Sequence, residues 1–287
     1  MFDRTSAGWN LSKQSWQVLK LDKELILFPL LSGIACLLVT ASFAAPVLAL
    51  VEVDSPTSQT ATADDSEISP TDVLTLIGAL AYYVANYFVI IFFNSALIAC
   101  ALIRFKGGNP TLGDGFSAAF ARLPQIFCWA LVAGTVGMLL RILQSNTENR
   151  LRRFLIGLLG LAWSSATYFV VPVIVVEKLG PLAAGKRSLE ILRSTWGESL
   201  GARFGTGCIV ALMMLVSFVP VIVGFVCWGI GLPVVGIPLV LAGLGMVMTV
   251  VLISSALESI ILAALYLYAA EGRIPEQFQG DAFQTAF

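Results

Sequence analysis

An all-α, polytopic transmembrane bundle of about six spans is the fold this sequence predicts. Three observations predict it. Of 287 residues, 57% are hydrophobic and only 12% charged, where a soluble chain carries about 25% charged residues. Long uncharged runs recur, and the polar stretches between them reach only about twenty or thirty residues, too short for a core of their own. Every second run closes on glycine followed shortly by proline, the chemistry that stops a helix.

A bilayer core about 30 Å thick needs roughly 20 apolar helical residues. The predicted spans are 25–51, 73–103, 123–141, 154–176, 204–229 and 238–268. The last two come from one uncharged run, 204–257, long enough for two crossings. Gly229, Gly231, Pro233, Gly236 and Pro238 mark the turn between them. All six are helical, because an open strand leaves its backbone unsatisfied in lipid. The first run far outlasts the roughly 7–15 apolar residues of a signal peptide, so it reads as an uncleaved span. The chain is a single integral membrane domain, 1–287. Its segment 52–72 reads as a flexible acidic outer loop carrying Glu52, Asp54, Asp64, Asp65, Glu67 and Asp72 without a basic residue.

Lys and Arg orient the spans. Arg4, Lys13, Lys20 and Lys23 precede the first. Arg104, Lys106 and Arg122 follow the second, five more basic residues from Lys178 to Arg203 follow the fourth, and Arg273 follows the sixth. Both termini are therefore expected in the cytoplasm of a cell whose cell membrane holds the chain. One loop opposes this: Arg141, Arg150, Arg152 and Arg153 flank the third connection, on the outer side. Snorkelling to outer headgroups is the reading consistent with the rest.

Several function classes are excluded or weakened. Net charge is −1, so no basic field awaits nucleic acid. Histidine is absent, which removes His bases, His metal ligands and His switches. The five cysteines lie in apolar runs without CxxC spacing and read as small core residues. No phosphate loop, dinucleotide fingerprint, zinc signature or nucleophile elbow occurs. No cofactor is expected, and the bilayer is the one partner composition implies. A small-molecule substrate, a protein partner and a homo-oligomer all stay open.

Three exits look alike: Arg104-Phe-Lys-Gly-Gly-Asn-Pro110, Glu177-Lys-Leu-Gly-Pro181 and Glu271-Gly-Arg-Ile-Pro275. Each precedes a short amphipathic segment, and the N-terminal segment resembles those. The expected unit is an amphipathic helix, a span out, a turn and a span back, repeated three times. Trp9, Trp16 and Trp196 would anchor such helices at the cytoplasmic interface. Packing of the same helices on the bundle is the competing reading.

Glu258 is the acid placed well inside a span, where a carboxylate costs about 2.5–3.5 kcal/mol. Ser255 and Ser259 flank it, followed by Ala263 at the same spacing, a stripe that favours close helix contact. Matching Gly108 to Gly272 brings Asn94 onto Glu258, with Ala166 as the equivalent in the fourth span. Glu258, Asn94, Ser255 and Ser259 are thus the candidate intramembrane polar site. Interhelical hydrogen bonding alone is the competing account.

The segment Ala264-Leu-Tyr-Leu-Tyr-Ala-Ala-Glu-Gly-Arg-Ile-Pro275 resembles the closing motif of an uncharacterised prokaryotic family of six-pass membrane proteins, a domain of unknown function. Gly8-Trp9 with Ser15-Trp16, and the stretch Ser188 to Trp196 after Gly180-Pro181, are similar too. The resemblance implies a prokaryotic cell membrane and no activity. The expected function is non-enzymatic: a transporter-like carrier of a small or amphipathic substrate, or a membrane scaffold. An intramembrane enzyme acting on lipid or protein is the alternative.

Overall fold

The computed structural model describes the backbone of residues 2–53, 70–145, 149–194, 196–275 and 278. Side chains are described over 12–44, 73–145, 149–193, 207, 210–275 and 278. Among these residues every regular element is helical: α1 (Phe2–Leu21), α2 (Leu27–Val53), α3 (Pro70–Phe105), α4 (Leu112–Phe120), α5 (Leu123–Ser145), α6 (Arg150–Ala166), α7 (Val170–Glu177), α8 (Pro181–Ser194), α9 (Trp196–Gly229) and α10 (Pro233–Glu271). Most of the acidic loop lies outside the described residues.

Among the described residues six stretches are long and apolar enough to cross a membrane: Lys23–Ala44, Val73–Phe105, Leu123–Ser145, Arg150–Glu177, Val210–Gly229 and Pro233–Glu271. The chain is a multi-pass membrane protein. The predicted turn falls between α9 and α10, where Gly231 takes φ +85° and Pro233 opens α10. The hairpin it joins is closely packed. A Cβ on Gly236 would lie 2.7 Å from the Gly224 carbonyl oxygen, and one on Gly243 would lie 2.8 Å from the Val221 nitrogen. Glycine lets these two backbones touch, the means by which apolar helices pack without a hydrophobic driving force.

The element order repeats one unit three times: α1 before α2 and α3, α4 before α5 and the α6–α7 pair, α8 before α9 and α10. The end of each returning span shares a backbone feature. Gly107, Lys178 and Gly272 all lie in the left-handed region, at φ +83°, +60° and +65°, and each has proline three residues on. Glycine enters that region at no steric cost, whereas Lys178 carries a Cβ there.

The core occupies one end of the bundle, here termed basal, where α1, α4 and α8 sit. Ala96, Leu97, Ile98 and Cys100 to Leu102 of α3, Val173 and Ile174 of α7, and Ile260, Ile261 and Ala263 to Leu267 of α10 are buried together with Val18, Leu19 and Phe28. Phe278 is fully buried and meets Phe105 edge-on, at 5.6 Å between ring centroids. Away from this end Leu37, Leu38, Leu215, Val234 and Leu241 are exposed, as helices facing hydrocarbon would be.

The short helices pack on the bundle. Thr111 and Asp114 form a reciprocal capping box at the start of α4, and the Thr111 hydrogen bonds hold the Asp114 carboxyl below the usual carboxylate range. Gly115 of α4 sits where a Cβ would lie 2.9 Å from the Ala96 carbonyl oxygen. In α8 the buried residues Ala184, Ser188, Ile191 and Leu192 form one face, and the exposed Leu182, Lys186, Glu190 and Arg193 another. The buried face is sunk into the bundle against α5, α6 and α7, so α8 follows the competing reading of the amphipathic segments.

The fourth span departs from expectation. In place of one continuous helix over 154–176, the chain breaks at 167–169 between α6 and α7. Pro172 supplies the cause: it has no N–H for the Tyr168 carbonyl four residues back, and its ring crowds that oxygen.

Candidate functional site

The break in the fourth span leaves backbone groups that must be satisfied inside the bundle. Thr167 N–H still reaches the Trp163 carbonyl, and Val170 N–H turns to the Thr167 carbonyl. That frees the Ala166 carbonyl and the Phe169 N–H. Ser188 of α8 serves both: its hydroxyl donates to Ala166 O at 2.7 Å and accepts from Phe169 N at 3.0 Å. Ser188 and Phe169 are fully buried. A helix from the next repeat unit thus closes the gap in the preceding span, as serine hydroxyls can where membrane helices break.

Two polar clusters flank this junction at the basal end. In the first, Arg104 at the end of α3 makes a two-pronged ion pair with Asp22, at the α1–α2 corner, and donates to the Asn109 side chain at 2.6 Å. Asp22 is 8% exposed and Arg104 18%, so this pair is shielded from water. The fork geometry matches guanidinium to carboxylate. In the second, Glu177 at the end of α7 accepts from Arg187 of α8 at 3.2 Å and from the Tyr266 hydroxyl of α10 at 3.0 Å. Arg187 also reaches Glu190 at 3.4 Å, and its bond to Glu177 raises the guanidinium pKa further. The clusters tie α1 to α3, and α7 and α8 to α10. Chemically they are satisfied ion pairs, with hydrogen bonds spent on structure.

The sequence-predicted polar site does not assemble as expected. Glu258 is exposed on α10, whereas Ala256, Ser259, Ile260 and Ala263 turn inward. The expectation of an inward Glu258 facing Asn94 is corrected here, and the repeat register explains it. The left-handed residues align Gly107, rather than Gly108, with Gly272. Counting back the same distance then matches Asn94 to Ser259 and Ser165, not to Glu258 and Ala166. One residue is about 100° of helix rotation, enough to carry Glu258 off the inner face. Asn94 is half-buried, and among the described residues no hydrogen bond joins it to Glu258. Ser259, buried, donates to the Ser255 carbonyl of its own helix at 3.1 Å. The side chains of α9 level with Glu258 lie outside the described residues.

Trp16 is 37% exposed, with the Lys20 ammonium 5.6 Å from its ring centroid. The side chains of Trp9 and Trp196 lie outside the described residues. Three described cavities, of about 380, 310 and 540 Å³, open at the basal end, and none is lined by Glu258 or Asn94. No cluster of metal-ligating side chains occurs among the described residues.

Residues 73–276, well over half the chain, match a family of unknown function, DUF6159. The chain belongs to that family. The DUF6159 match begins at the second span and ends just past Pro275. It therefore contains the broken span, Ser188 and the Glu177–Arg187–Tyr266 cluster, while Asp22 and Trp16 precede it. No curated protein matches the chain.

Proposed function

We propose that this DUF6159 protein is a non-enzymatic membrane scaffold, its basal end in the cytoplasm and its spans in the cell membrane. The observation that carries this reading is the bonding that holds the basal core together. Asp22–Arg104 ties the first repeat unit together, Glu177–Arg187–Tyr266 joins the second unit to the third, and Ser188 of the third seals the broken span of the second. Ion pairs and hydrogen bonds of this kind hold one arrangement. A carrier needs two, with its polar intramembrane residues meeting water in at least one of them. Ser117 of α4 and Lys186 and Arg193 of α8 are exposed and would serve a cytoplasmic partner. The cytoplasmic placement follows from the basic residues at that end.

Thiol accessibility tests the reading. Single cysteines replace Asn94, Ser255 or Ser259 in a chain lacking its native five, reconstituted in vesicles. The scaffold predicts no labelling at 94 and 259 by a membrane-impermeant maleimide from either side, while a Leu182→Cys control labels fully. Labelling at 259 would mean that water reaches the span interior, and the carrier reading would replace the scaffold.

A further inference from the structure

At the entrance to the first span lies a groove that neither polar cluster occupies. It measures about 540 Å³ and is lined by Trp16, Leu19, Lys20, Lys23 and Ile26. Its lining combines an indole and two aliphatic side chains with two lysines. Lys20 is held over the Trp16 ring, and both lysines are exposed. Neither lysine belongs to an ion pair among the described residues. Asp22, the carboxylate between them in sequence, is taken up by Arg104, which leaves the exposed Glu24 as the neighbouring acid. The same two lysines also border the cavity of about 380 Å³ that continues to Asn109 and Thr111. The lysines therefore stand where an apolar groove meets a polar one.

We propose that this groove holds one anionic phospholipid of the surrounding bilayer, its phosphate between Lys20 and Lys23 and an acyl chain along Trp16, Leu19 and Ile26. Charge complementarity selects the anionic head, and the apolar wall selects a lipid over a free anion. Trp at headgroup depth, with Lys20 stacked on it, suits the same position. The inference rests on the membrane-protein reading alone and holds for a scaffold or a carrier.

The test uses the full chain in detergent, with phosphatidylglycerol and phosphatidylcholine of matched acyl chains, read by native mass spectrometry. The wild-type chain should retain phosphatidylglycerol in preference to phosphatidylcholine. The double variant Lys20→Gln/Lys23→Gln should weaken phosphatidylglycerol adducts about twenty-five-fold, at about fivefold per lysine, and leave phosphatidylcholine unaffected. Equal retention of the two lipids, or undiminished phosphatidylglycerol adducts in the double variant, would overturn the proposal. A second readout needs no charge variant. In vesicles, phosphatidylglycerol with brominated chains should quench the Trp16 emission, isolated by difference from Trp16→Phe, more than brominated phosphatidylcholine does. Equal quenching would sink the site. Displacement of the bound phosphatidylglycerol by millimolar inorganic phosphate would show a plain anion site and also defeat it.

Discussion

Ser188→Ala is expected to destabilise the purified chain by about 2–6 kcal/mol, because it orphans two buried backbone groups at about 1–3 kcal/mol each. The Ala166 carbonyl and the Phe169 N–H have no helical partner once Pro172 has broken the span, and the Ser188 hydroxyl meets both. The lost volume is one oxygen atom, so packing contributes little. Lys186→Ala, on the exposed side of the same helix, should stay within about ±0.5 kcal/mol. Unfolding in detergent, followed by tryptophan fluorescence, decides between them. Equal midpoints for the two variants would mean that Ser188 does not close the span.

Asp22→Ala should cost about 3 kcal/mol, in the range for breaking a shielded ion pair by removing one partner. The loss leaves the Arg104 guanidinium, 18% exposed, without the Asp22 carboxylate that it meets in two-pronged fashion. Arg104→Leu should cost a similar amount by stranding Asp22. Replacing both, Asp22→Leu with Arg104→Leu, should be milder than either single change, since no uncompensated charge remains. A double-mutant cycle on the unfolding midpoint measures this coupling. Additive single effects would show that the pair is not coupled.

Much of the architecture was legible because hydrocarbon imposes length and composition on a helix directly. The observed span Val73–Phe105 begins where the apolar run begins, Leu123–Ser145 likewise, and the final turn falls at Gly231–Pro233. The triple exit motif reappeared as three left-handed residues, each three positions before proline. The broken fourth span was missed because an apolar run reads as uniform: Val170 to Val176 contains no charge, and Pro172 was its one signal. The basal clusters were illegible for a different reason. Arg104 meets Asp22 across 82 residues and Tyr266 meets Glu177 across 89, and a single sequence contains no trace of such pairings. Arg104 and Glu177, each at the end of a returning span, could have raised the question without naming the partner. Glu258 shows how sharp a register error is. An offset of one in aligning the repeats turned an exposed carboxylate into an inward one.

The proposed topology puts α1, α4 and α8 of the three like units on one side of the membrane and the α9–α10 turn on the other. Single cysteines at Lys13, Ser117 and Leu182, whose side chains are exposed at the basal end, and at Ser58 and Thr147 test it in a chain lacking the native five. In intact cells an impermeant thiol reagent should label positions 58 and 147 and spare 13, 117 and 182, and permeabilisation should make those three reactive. Labelling of 13, 117 or 182 in intact cells, or protection of 58 or 147, would contradict the account.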